Sequence, residues 1–89
     1  MTTMFVRHTV TDFAKWKKVY NDLGQTQKKM GVTAEAVYRA ADNPNDVTVT
    51  HDFASNEAAQ AFAASNELRT AMQDAGIAGA PTIWFANKA

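Results

Sequence analysis

The chain contains two histidines, His8 and His51, and each falls in a segment whose alternation of apolar and polar residues reads as β-strand. In Met4 to Val10, His8 shares a side with Met4, Val6 and Val10, and in Val47 to Phe53, His51 shares a side with Val47, Val49 and Phe53. Burial on an apolar face penalises the charged imidazolium, so such a histidine stays neutral and can take up or return a proton near neutral pH. If the two strands are antiparallel neighbours, both rings lie on one face and are expected to sit close together. His8 is then the candidate general base or acid, with His51 tuning or sharing its proton. The competing reading makes each a core histidine with one satisfied hydrogen bond.

Other chemistries lack the residues they need. There is no Cys, which excludes disulfides and thiolate metal sites. Asp52 is expected on the opposite sheet face and Asp12 beyond the strand end, so no carboxylate joins the two histidines and no metal is expected. The four glycines stand isolated at positions 24, 31, 76 and 79, which leaves no phosphate-binding loop, and Ser55 and Ser65 lack a nucleophile elbow. No cofactor is expected. The segment Asp46 to Phe53 also lacks the aromatic pattern of RNA-recognition strands.

The elements that must position these side chains follow from periodicity. After the first strand, Thr11-Asp12 offers a cap for a helix with an apolar stripe at Phe13, Trp16, Val19, Tyr20, Leu23 and Met30, weakened at Gly24 and ended at Gly31. Val32 to Ala40 alternates again, Asp42-Asn43-Pro44-Asn45-Asp46 signals a turn, and Val47 to Phe53 returns as the other arm of a hairpin. Ser55 caps a second helix with its stripe at Ala58, Phe62, Ser65, Leu68, Met72 and Ala75. The repeat of Ala-Ser-Asn-Glu at 54–57 and 64–67 predicts a second cap and a break near Ser65. Gly76, Gly79 and Pro81 close that helix, and Thr82 to Ala86 is the last strand. The order βαββαβ, with right-handed crossovers, predicts an α+β, ferredoxin-like fold: a four-stranded antiparallel sheet with both helices on one face.

Strict alternation places Ala34, Ala36 and Tyr38 on the helix-covered face with the histidines. These small residues are expected to leave room for a flat apolar ligand. The candidate pocket is lined by Trp16, Tyr20, Tyr38, Phe53, Phe62, Met72 and Trp84, with Tyr20, Tyr38 and Trp84 donating to an enolate or carbonyl oxygen. The competing reading makes these aromatics plain core. The other face is expected to show Phe5, Arg7, Thr9, Thr33, Glu35, Val37, Arg39, Thr48, Thr50 and Asp52. That mixture suits packing on a second copy, with Arg7, Glu35, Arg39 and Asp52 paired across the seam, and the competing reading is an ordinary solvated face.

Size sharpens this expectation. In 89 residues, 46% are hydrophobic but seventeen are Ala, so few large side chains remain for a core, and with disulfides excluded a partner subunit is the natural supplement. The chain is expected to be one domain over residues 1–89 and a homodimer. Nine basic and nine acidic side chains cancel, which gives no field to draw nucleic acid or anionic lipid. The lysines of the first helix are expected to form a solvated face. No stretch approaches the roughly 18 apolar residues of a membrane span, and the amino terminus has no long apolar run. A soluble, cytoplasmic protein is expected, without nucleic-acid or membrane partners.

Together, Val6-Arg7-His8-Thr9-Val10-Thr11-Asp12 running into Trp16-Lys17, Tyr38-Arg39 before Asp42-Asn43-Pro44-Asn45, Ala61-Phe62-Ala63-Ala64-Ser65 followed by Glu67-Leu68 and Met72, and Ala75 to Pro81 leading to Trp84-Phe85 carry a likeness over nearly the whole chain. It resembles small members of the dimeric α+β barrel superfamily of antibiotic biosynthesis monooxygenases, many of them cyclase-like or monooxygenase-like. The resemblance implies two ferredoxin-like protomers packed sheet to sheet, each with a ligand cavity between sheet and helices. Related barrels include cofactor-free oxygenases of polyketide quinones, a plant polyketide cyclase, a plant hydroxynitrile lyase, lactone isomerases and haem-degrading enzymes. His8 is similar in placement to the first-strand histidine that does acid/base work in the cyclase and the lyase. The chain departs from the haem-degrading pattern, having no second-helix His, and from the quinone oxygenases, lacking their Asn-Trp pairing on that helix. The implied activity is cofactor-independent cyclase, isomerase or lyase chemistry, or oxygenation, on a small apolar metabolite. A non-catalytic dimeric module that binds a small molecule, or is purely structural, is the alternative.

Overall fold

The computed structural model describes residues 1–89. The elements run β1 (Thr2–Val10), α1 (Phe13–Asp22), α2 (Gly24–Lys29), β2 (Val32–Ala40), β3 (Asn43–Phe53), α3 (Asn56–Ala63), α4 (Asn66–Asp74) and β4 (Ile77–Asn87). The four strands form one antiparallel sheet in the order β2-β3-β1-β4. This is the βαββαβ ferredoxin-like layout, each predicted helix being divided into two short ones. No helix is long and apolar enough to cross a membrane.

Local chemistry explains the helix boundaries. Asp12 is extended and its carboxylate accepts from the Lys15 amide, the N-cap geometry that starts α1. Ser55 and Ser65 each accept from the amide three residues on, Ala58 and Leu68, so the repeated Ala-Ser-Asn-Glu is a cap used twice and the second helix breaks at Ser65 as its sequence predicts. Leu23 divides α1 from α2, just before Gly24, and Gly31 ends α2 with φ +96°.

The core lies between the helices and one sheet face. At one end Met4, Val6 and Phe53 pack with Ala59, Phe62 and Leu68. At the other, Val10, Val47 and Val49 pack with Trp16, Tyr20 and Ala75.

Three strand details differ from the expected pattern. A bulge between Val32 and Ala34 shifts β2 by one residue, so Glu35, Val37 and Arg39, opposite His51, Val49 and Val47, face the helices. Ala34, Ala36 and Tyr38 lie on the open face instead, reversing the expected assignment of β2. The reason is that β2 is an edge strand: its long charged side chains reach round the rim of the helix layer, Arg39 stacking on Phe13 at 3.9 Å and Glu35 accepting from the Tyr20 hydroxyl. Secondly, Ala40 pairs with Asn43, so the hairpin turns at Ala41-Asp42 and β3 already includes Pro44 and Asn45. Thirdly, β4 begins at Ile77 rather than Thr82. Arg7 pairs with Thr82 and Thr9 with Ala78, which leaves Gly79-Ala80-Pro81 bulged out opposite His8.

Candidate functional site

His8 sits two residues before the end of β1, buried on the helix-facing side, with Val47 as its partner on β3 and the Gly79–Pro81 bulge on its other flank. The indole of Trp16 tilts over it at 5.6 Å between ring centroids. Neither Nδ1 nor Nε2 has a hydrogen-bond partner. Protein interiors rarely leave a buried polar side chain so, because each unmet group forfeits its hydration. Burial holds the His8 pKa below the usual 6.5, with Asp46 pulling weakly the other way. At neutral pH His8 is therefore an uncharged imidazole with a free lone pair and a free N–H.

His51 is buried on the same sheet face, as expected, but is not beside His8. His8 is opposite Val47 and His51 opposite Met4, a separation of four residues along the ladder, or roughly 13 Å. The expectation of close histidines fails because sharing a face fixes only the direction of a side chain, and the register decides its distance. Direct proton sharing, or a metal held by both rings, does not fit that span. Trp16 and Tyr20 lie between them, in a chain of rings with centroid spacings of 5.6, 5.1 and 6.2 Å from His8 to His51. His51 is further packed on Phe62 at 5.2 Å, and its Nε2 meets the buried amide of Gln27 at 3.2 Å. Burial lowers its pKa to about 4, against smaller opposing attractions from Glu35 and Asp52. These contacts describe a core histidine.

The other pocket candidates divide. Trp16, Tyr20, Phe53 and Phe62 are buried in the core, filling the space between helices and sheet rather than lining a cavity in it. The Tyr20 hydroxyl donates to Glu35, and burial together with that acceptor raises its pKa, so it is committed and not free to donate to a substrate. Tyr38 and Trp84 are exposed on the open face, where Trp84 stacks on Phe5 at 5.1 Å. They are not in a pocket with His8; the β2 bulge moves Tyr38 there, and pairing with Phe5 fixes Trp84. Arg7 and Asp46 form a two-pronged ion pair within the chain at 3.1 and 2.7 Å, while Asp52 accepts from Thr3. Glu35 and Arg39, facing the helices, are not part of any seam on the open face.

Met72 alone of the pocket candidates lines an open space. A groove of about 460 Å³ runs between α4 and β4, walled by Leu68 and Met72 on one side and by Ile77, Gly79, Pro81 and Ile83 on the other. The bulge that flanks His8 thus supplies Gly79 and Pro81 to the groove wall. Sequence reading missed this wall because Gly79 and Pro81 are ordinarily chain terminators. The available signal was Ile77 and Ile83 on either side of them, six residues apart and both apolar. On the far side of the same bulge, Ala78, Ala80 and Thr82 border a polar depression with Arg7, His8, Thr9 and Asp46, so His8 itself lines this depression and is separated from the groove by the bulge.

Comparison with solved structures places this geometry. A candidate antibiotic biosynthesis monooxygenase of Bordetella bronchiseptica superposes with TM-score 0.85 at 14% identity, over 99% of this chain and 96% of the other. One from Caulobacter crescentus CB15 gives 0.80 at 20% identity over 99% and 89%. The fold is that of the antibiotic biosynthesis monooxygenase-like proteins. SnoaB of Streptomyces nogalater, a cofactor-independent oxygenase, also shares it, with TM-score 0.76 at 15% identity over 99% and 94% of the two chains. No family model and no curated protein sequence matches the chain.

Proposed function

We propose that the protein is a cofactor-independent enzyme that moves a proton on a small, largely apolar metabolite, with His8 as base and then acid. The observation that carries this is the unpartnered His8 imidazole, buried beside the β4 bulge, with an apolar groove on one side of that bulge and the polar depression that His8 lines on the other. A core histidine kept only for packing would be expected to bond to the backbone or a neighbour, as His51 does to Gln27. The apolar walls of the groove would hold the body of a carbonyl compound and exclude water, with its carbonyl end reaching past the bulge to His8. His8 would take a proton from the carbon next to the carbonyl, and the same proton could return at another position. This step underlies cyclase, isomerase and lyase reactions, and an electron-rich enolate formed by it is also what oxygen attacks, so the likeness to SnoaB accords with it. In this reading the working unit is residues 1–89 as a homodimer joined through the open sheet face, acting in the cytoplasm.

The test is deuterium uptake. In D2O, cyclic β-dicarbonyl compounds offered to the protein should exchange their α-protons faster than with buffer alone, and His8→Ala should cut that excess by about 10²- to 10⁴-fold with an unchanged circular dichroism spectrum. Full exchange by a folded His8→Ala variant would sink the proposal and leave the groove as a binding site without catalysis.

A further inference from the structure

The groove between α4 and β4 has one cationic side chain, Arg69, on the helix side near Leu68 and Met72. The chain's single salt bridge joins Arg7 to Asp46, so the Arg69 guanidinium has no carboxylate of its own. Its remaining neighbours along the walls are mainly apolar: Leu68, Met72, Ile77, Pro81 and Ile83. A cation at the edge of an apolar cleft, with no internal anion, is complementary to a ligand with an apolar body and one negative end.

We infer that the groove selects small cyclic or aromatic carboxylic acids, and that Arg69 is the residue that sets this preference. The inference rests on the groove being the binding site proposed above. The carboxylate would meet the planar guanidinium at the α4 rim, two N–H groups donating to its two oxygens. The apolar body would then lie across to the β4 wall, its far end toward Gly79 and Pro81, the bulge that flanks His8. Arg69 thereby fixes which end of the ligand approaches the histidine. It is a specificity-determining residue and takes no part in moving the proton. The volume, about 460 Å³, accommodates a two-ring body.

The test is a pair of probes of the same shape and different charge, 2-naphthoate and 2-naphthamide, titrated into isotope-labelled protein by amide NMR at low ionic strength. Naphthoate should shift the Met72, Ile77 and Ile83 amides and bind about tenfold more tightly than the amide, the size of one charge-assisted contact at a partly solvated rim. That ratio should fall toward one in Arg69→Gln and with added salt, and should largely survive in Arg69→Lys. Arg69 is exposed on its helix, so these variants are expected to fold. Equal affinities for the two probes at those amides would overturn selection of an anion, and a ratio that persists in Arg69→Gln would overturn Arg69 as its source, either result leaving the groove as a binding site. No shift at those amides with either probe would overturn both.

Discussion

His51 illustrates how a single buried ring couples the core to pH. Its pKa of about 4 in the folded chain lies below the usual 6.5, so between those values the unfolded chain binds the proton that the folded chain refuses. Stability therefore rises with pH across that window, is complete above about 6.5, and is lowest once pH falls below 4. The shift corresponds to a few kcal/mol in order of magnitude. His8, lowered in the same direction, adds to the slope. Chemical denaturation at pH 7 and at pH 4.5 should show the wild type markedly weaker in acid. His51→Gln, which keeps an amide partner for Gln27, should flatten the slope, and an unchanged slope in that variant would mean that His51 is not the group responsible. The same logic bears on the proposed chemistry: with His8 as the base in its neutral form, kcat/KM should fall only below the ordinary histidine range and hold level above it.

At the scale of elements, the segments beside the site depend on two glycines that differ in an informative way. Gly76 and Gly79 both have positive φ, +70° and +77°. A Cβ on Gly76 would meet the Thr11 hydroxyl at 3.3 Å, whereas a Cβ on Gly79 would meet nothing within 4 Å. Thr11 also donates from its hydroxyl to the Gly76 carbonyl at 3.1 Å, tying the end of β1 to the start of β4. Gly79→Ala should thus cost only the backbone term, about 1 kcal/mol, and Gly76→Ala distinctly more, in urea unfolding. Equal costs would show that the Thr11 contact gives way freely. Both positions also mark the limit of what could be read before the structure. Caps, strand order and the helix break at Ser65 were legible, because Asp12, Ser55 and Ser65 act through amides three residues away. The β2 and β4 bulges were not, because a bulge is decided by pairing with a distant strand. In β2, Ala34, Ala36 and Tyr38 compete with Glu35, Val37 and Arg39 for the inner face, and composition favours the wrong set. The β4 bulge hid the groove itself, and with it Arg69, whose single unpaired charge means nothing until the apolar walls around it are known.

For the whole molecule, the decisive feature is how little one chain encloses. Only 16 of 89 residues are buried, and the open sheet face carries Phe5 stacked on Trp84, with Trp84 41% and Tyr38 59% exposed. Thr48 and Thr50 lie on this face with Ala34 and Ala36, beside the Arg7–Asp46 ion pair and Asp52, a mixed surface of the kind that packs on a copy of itself. Since the groove between α4 and β4 opens on the helix side, a second protomer on this face would add its buried area without covering that groove. Two consequences can be separated. The wild type should sediment as a dimer and its Tm should climb with protein concentration, as mass action requires when only the assembled form gains the interface. Trp84→Glu places an uncompensated charge in the middle of that interface and should give a monomer with a lower Tm that no longer depends on concentration. A wild type that stays monomeric at high micromolar concentration, with Tm unchanged by Trp84→Glu, would remove the open face from the proposal. Where the Trp84→Glu monomer still folds, it should bind 2-naphthoate in the groove as the wild type does, because the wall of that site comes from α4 and the helix-facing side of β4 of a single chain.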